Sequence, residues 1–174
     1  MGFSVSASTA IIFISFLMAA ATLYDAWDNS YSNVQAARED WYELRLSRLS
    51  TSVGLNEGGW AYVVNQTSGV YNVTFYIQNF GNTLYIPHWS GIYDGDYVTL
   101  YDTTDDTVGW VSDYTYLLPG EVAEITITDI PLNGTQHTLK LVFGNGCWLM
   151  LSWHDNGTDV LLDSESSGCP MGVS

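Results

Sequence analysis

No charged side chain occurs between Met1 and Tyr24. That one property limits the chain more than any other, because so long an apolar run must be covered by lipid or by protein. Phe3 to Tyr24 is 22 residues, roughly 33 Å of helix, which matches the thickness of a hydrocarbon core. Its densest part runs from Ala10 to Leu23 and is broken only by Ser15 and Thr22. A cleaved secretory signal carries a basic segment ahead of its apolar stretch. None stands ahead of this one, so a retained membrane span is expected over about residues 3–24.

Beyond Asp25 the pattern turns amphipathic. Apolar residues recur at Trp27, Tyr31, Val34, Ala37, Trp41 and Leu44, in steps of three and four, with Asp28, Arg38, Glu39 and Asp40 largely off that line. No proline or glycine interrupts before Gly54. One helix is therefore predicted from about residue 8 to 48, about 60 Å long. The stripe Trp27, Tyr31, Val34, Trp41 and Leu44 needs cover from the chain's own C-terminal domain or from another copy.

After Thr51 the texture changes to short β-rich runs: Trp60–Val64, Val70–Gln78, Thr83–Pro87, Tyr97–Tyr101, Val108–Val111, Tyr114–Leu118, Glu121–Ile127, Thr138–Phe143 and Trp148–Trp153. Val70–Gln78 and Glu121–Thr128 alternate apolar and polar residues, as half-buried strands do. Turn signals separate many of the runs, among them Asp94-Gly95, Pro119-Gly120, Asn133-Gly134 and Asn156-Gly157. The predicted fold is an all-β immunoglobulin-like sandwich preceded by one long N-terminal helix, a type IV pilin-like layout. Its expected domains are residues 1–50, the membrane helix continuing as an amphipathic spacer, and 51–174, the surface sandwich.

Charge narrows the partners. The formal charge is −15, and fourteen of the nineteen acids follow residue 50, where Lys140 is the only lysine or arginine. Such a domain repels phosphate backbones, which excludes nucleic acid. Cys147 and Cys169 fit no zinc or redox spacing. A disulfide pinning the C-terminal tail is expected, the alternative being two buried thiols. Four N-x-[ST] triplets begin at Asn65, Asn72, Asn133 and Asn156 and are candidates for N-linked sugar. With the cysteines, they argue for a domain outside the cell. Arg38, Arg45 and Arg48 follow the span with no basic residue before it, which alone would favour the opposite orientation.

Catalysis finds no foothold. No G-x-S-x-G, HExxH, phosphate-loop or dinucleotide signature occurs, and no cofactor is expected. The acidic stretch 94–106 is rich in oxygen ligands but lacks the alternation of a calcium loop, so solvated turns are expected there. His88, His137 and His154 have no metal-ligand spacing. The seven Trp and twelve Tyr are read mainly as core and strand-face residues, with a sugar-stacking platform as the lesser alternative.

The opening Met1-Gly-Phe-Ser-Val-Ser-Ala-Ser-Thr-Ala-Ile-Ile-Phe-Ile14 resembles the start of the archaellum accessory family FlaF (ArlF), within the FlaF/FlaG group. Asn72–Thr83, Asp94-Gly95 and Leu118-Pro-Gly-Glu121 are similar to that family's sandwich. The resemblance implies a stationary part of the motor, a stator. Its β domain would lie between membrane and S-layer, with S-layer or envelope protein and a FlaG-like protein as partners, and as a homo-oligomer. The main rival is a filament-forming archaellin- or pilin-like subunit whose helices bundle in a filament core. The Trp27–Leu44 stripe suits it, but the first turns hold no glutamate and no basic leader precedes Gly2. A membrane-tethered surface hydrolase is a third and weaker possibility.

Overall fold

The structure, a computed structural model, describes residues 3–98, 100, 108–110 and 115–170. Chain contacts divide it into two units, Met1–Arg45 and Leu46–Ser174. The first is nearly all of α1 (Phe3–Leu49), a single 47-residue helix. Its unbroken length follows from the absence of proline and glycine and from the Ala and Leu residues spread along it, both strong helix formers. It ends where Ser50 and Thr51 turn their hydroxyls back onto the carbonyls of Leu46 and Ser47, at 2.8 Å each.

The second unit holds eleven strands among the described residues. In chain order they are β1 (Val53–Asn65), β2 (Val70–Asn79), β3 (Leu84–Tyr85), β4 (Ser90–Tyr93), β5 (Asp96–Val98), β6 (Val108–Trp110), β7 (Tyr116–Leu117), β8 (Val122–Pro131), β9 (Gln136–Val142), β10 (Trp148–Asp155) and β11 (Val160–Gly168). One sheet has the order β1-β2-β8-β6 and the other β11-β10-β9-β4-β5, while β3 and β7 form a small separate pair. Every pairing among the described strands is antiparallel. The helix followed by a two-sheet sandwich is the architecture expected from the sequence.

Period-two alternation builds the core. In β2 the buried residues are Tyr71, Val73, Phe75, Ile77 and Asn79, and opposite them β8 buries Ala123, Ile125 and Ile127. From the other sheet come Leu139 and Leu141 of β9 and Leu149, Leu151 and Trp153 of β10. Each fully buried aliphatic or Phe side chain contributes about 1.5–3 kcal/mol. Phe75 meets Trp153 edge to face, with centroids 4.9 Å apart. The indole Nε1 of Trp153 donates to the Tyr71 hydroxyl at 3.2 Å, so neither polar atom is stranded. Burial pushes the Tyr71 hydroxyl up to about 12, because its anion would have to form out of water. Tyr93 is pushed up more strongly, by burial and then by the neighbouring Asp94 charge.

Two irregularities matter later. At Asn72 of β2, the register against β8 jumps from Tyr71↔Ile130 to Val73↔Ile127, so two residues of β8 face one of β2. The bulge turns Asp129 to a φ of 57°, and the Asn72 side-chain oxygen accepts the Asp129 N–H at 2.9 Å. In β1 the register breaks between Leu55 and Trp60, which splits the strand into two halves. The first half is held to β11 by the Leu55 N–H, which donates to the Glu165 carboxylate at 2.8 Å.

Candidate functional site

In the first unit the candidate surface is the helix itself. Ile11, Phe13, Phe16, Leu17, Met18 and Leu23 are all more than half exposed, and they point in every direction around the axis. The two hydroxyls inside Ala10–Leu23 are hidden from apolar surroundings. Ser15 donates to the Ile11 carbonyl at 2.8 Å, and Thr22 to that of Ala19 at 2.9 Å. The segment thus presents an apolar cylinder with no unmet hydrogen bond of its own side chains, fit for lipid or for like helices. An 18-residue window has mean hydropathy 1.7.

Farther along, the predicted stripe is present and uncovered. Trp27, Tyr31, Val34, Trp41 and Leu44 are 38–75% exposed. The Arg45 guanidinium lies over the Trp41 ring at 5.2 Å, and Tyr42 meets that ring edge-on at 5.4 Å. Gln35 donates to Glu39 one turn away, at 3.4 Å. Side chains spaced by threes and fours form the ridges that another helix can accept.

At one end of the sandwich the chain enters from α1. Arg48 donates from Nε to the Asn145 carbonyl at 3.0 Å and from Nη1 to that of Pro170 at 3.2 Å. Asn145 donates in turn to the Thr51 hydroxyl at 2.7 Å and the Ser47 hydroxyl at 3.1 Å. Cys147 and Cys169 are joined, closing a separation of 22 residues beside these contacts. Cys147→Ser is expected to lower the unfolding free energy by about 2–4 kcal/mol, the chain-entropy range for such a loop. Chemical denaturation of oxidised protein and variant reads this, and coincident curves would refute it.

The opposite end gathers three of the four glycosylation candidates. Asn65 closes β1 at the head of the β1–β2 turn, Asn133 lies in the β8–β9 turn and Asn156 in the β10–β11 turn, all exposed. Asp155, itself buried, joins the last two: Oδ2 accepts from the Gly134 N–H at 2.9 Å and Oδ1 from the Gly157 N–H at 3.1 Å. Gln66 donates to the Gly157 carbonyl at 3.0 Å, which draws in the first turn. Asn72 lies apart, half-buried within β2. Nothing in the sequence spacing signalled Asp155 as the node.

The remaining candidates stay separate. His137 pairs through Nδ1 with Asp94 at 2.6 Å, His154 with Asp163 at 2.7 Å, and His88 packs edge-on against Tyr85. Asp94, the first acid of the stretch 94–106, also accepts the Thr138 N–H at 2.7 Å. Residues 99 and 101–106 of that stretch lie outside the described residues. Among the described residues no three His, Cys, Asp or Glu side chains are placed to share a metal. Of the aromatics weighed as a sugar platform, Tyr71, Trp89 and Trp153 are core, whereas Tyr85, Tyr97 and Tyr116 are exposed.

The family model of archaeal-type flagellins matches residues 2–153. Among solved structures the chain is similar to the archaeal flagellum of Methanospirillum hungatei strain JF1, at 17% identity and a TM-score of 0.65, over 87% of this chain and 94% of that one. At that identity the likeness is one of fold. It is also similar to the archaellum periplasmic stator protein FlaG from Sulfolobus acidocaldarius, at 20% identity, 59% and 98% coverage and a TM-score of 0.44. The FlaF and FlaG stator complex from the same organism gives 20% identity, 57% and 86% coverage and 0.42. Those two scores are too low to weigh. No curated protein matches the chain. With the helix and most of the sandwich matched together, the chain belongs to the archaeal-type flagellin family.

Proposed function

We propose that this chain is a non-enzymatic structural subunit of an archaellum filament, with its N-terminal helices bundled in the filament core and its sandwich turned outward. The observation that carries this reading is the length of uncovered apolar surface on α1. A membrane anchor needs about 20 apolar residues. The exposed surface runs from Ile11 through Leu23 and on along the stripe to Leu44. Lipid can cover the first part but not the second, whereas a bundle of identical helices covers both.

Leaving the bilayer for a bundle exchanges one apolar surrounding for another, so close packing and not water exclusion must drive the step. Threes-and-fours spacing along the stripe and the internally bonded Ser15 and Thr22 meet that need. Family membership supports this filament reading better than the stator reading suggested by the opening residues. The principal partner is then another copy of the chain, not S-layer or FlaG-like protein, and the place is the cell surface. Antibody against residues 51–174, applied to filaments from the native host, is expected to decorate the whole shaft. Label confined to the base would restore the stator.

A further inference from the structure

We propose that the end of the sandwich opposite Arg48 and Asn145 is a glycan-bearing pole, modified at Asn65, Asn133 and Asn156, and that Asn72 stays bare despite the same triplet.

The chemistry of transfer is common to the four sites, and exposure together with the local backbone separates them. The side-chain amide nitrogen Nδ2 attacks the anomeric carbon of a lipid-phosphate-linked glycan. A nitrogen–carbon bond forms, and the carbon–oxygen bond to phosphate breaks with its electron pair leaving on the lipid phosphate. The Nδ2 proton passes to a base on the transferase. As that proton leaves, negative charge develops on Oδ1, and donors already aimed at Oδ1 stabilise it. In the three turns those donors are present. The Asn65 oxygen accepts the N–H of Thr67 at 3.1 Å and of Ser68 at 3.2 Å. That of Asn133 accepts the Thr135 N–H at 2.9 Å. The Asn156 oxygen accepts the Thr158 N–H at 3.0 Å, the Thr158 hydroxyl at 2.9 Å and the Asp159 N–H at 2.8 Å. Each is an Asx turn with the oxygen engaged inward. All three residues are exposed.

Asn72 is occupied differently. Its oxygen accepts the Asp129 N–H across the bulge, on another strand. The Thr74 hydroxyl of its triplet pairs with the Thr126 hydroxyl at 3.0 Å. Thr74 itself lies in register with Ala61 on one side and Thr126 on the other. A transferase would have to break a central strand of the sheet to bend this triplet.

The three turns also act as one body. Gln66 reaches Gly157, Asp155 holds Gly134 and Gly157, and the Leu132 N–H donates to the Gly69 carbonyl at 2.9 Å. Tyr62 adds a bond from its hydroxyl to Asp159 at 3.2 Å. Sugars on these turns leave from a single end, which keeps that end free of contact with neighbouring subunits; this last point rests on the filament reading.

Glycopeptide mapping of full-length protein from its native host tests the assignment. Sugar is expected on at least two of Asn65, Asn133 and Asn156 and absent from Asn72. Thr135→Ala, which keeps the asparagine, should remove only the increment at Asn133. Asn72→Asp, which keeps the oxygen acceptor for Asp129, should leave the mass increment unchanged. Sugar on Asn72, or on fewer than two of the three turns, overturns the proposal. Mapping reads the modification wherever the chain resides, so its failure is distinct from failure of the filament reading.

Discussion

Cells producing only a Val34→Asp variant are expected to make no filaments, although the variant still reaches the membrane. Val34 lies in the exposed stripe, well past the uncharged span, so a carboxylate there leaves insertion untouched. In a helix bundle the same carboxylate is buried without a partner, which costs at least about 2.5 kcal/mol on an apolar-insertion scale. Every tenfold change in affinity is about 1.4 kcal/mol, so each subunit addition weakens by roughly a hundredfold. Phe13→Asp should abolish filaments as well, and should also reduce the membrane-bound pool. Ser15→Ala removes only a back-bond to Ile11 and is expected to be neutral. Electron microscopy of cell-surface filaments, with the membrane fraction blotted in parallel, reads all three. Normal filaments from Val34→Asp would mean that the stripe does not pack against other copies. The sandwich is a separate unit, and its melting temperature is expected to be unchanged in each variant.

The second large effect is expected at Gly81. A Cβ placed there would come within 2.6 Å of the Ser52 nitrogen and still closer to the Ser50 carbonyl oxygen, both backbone atoms. Neither can move alone, because the Phe80 N–H donates to the Ser52 carbonyl at 2.8 Å and the Asn82 N–H to that of Ser50 at 3.0 Å. Fully buried Asn79 locks the same turn, accepting from the Gly81 N–H and donating to the Asn82 and Leu117 carbonyls. Gly81→Ala is therefore expected to destabilise the domain by about 3 kcal/mol, the upper range for overpacking. Denaturant midpoints of the disulfide-bonded domain measure it. A loss below about 1 kcal/mol would mean the backbone can part here.

The helix and the long inner strands were legible in the sequence for simple reasons, whereas the four-residue β4 is covered by no predicted run. No proline or glycine lies between Phe3 and Leu49, and β2 and β8 each bury one face, so alternation is clear in Val70–Gln78 and Glu121–Thr128. Two edge segments were not. β11, which no predicted run covers, buries only Val160 of its nine residues, so its Ser- and acid-rich sequence reads as a tail. The first half of β1 escaped because Asn56–Gly59 interrupts it and resembles a turn. The junction was also hidden, since Arg48 finds its partners at Asn145 and Pro170, far away in sequence. Choosing between stator and filament subunit was beyond one sequence for a physical reason. An all-round apolar helix has the same composition whether lipid or its own copies cover it. Family membership is what favours the filament reading.

The junction at Arg48 has a mechanical consequence. Without it, tension or torsion arriving along the last turn of α1 would pass into the domain through β1, an edge strand paired on one side to β2, and through the Ser50 and Ser52 carbonyls held by the Asn82 and Phe80 amides. Arg48 instead couples that turn to the β9–β10 connection at Asn145 and to the tail at Pro170. The Cys147–Cys169 bond fastens those two segments to each other. Load entering at one point is thereby divided among β1, β10 and β11, which belong to both sheets. A pull on that turn therefore meets resistance from both sheets at once, and reducing the disulfide would remove one of the links that shares it.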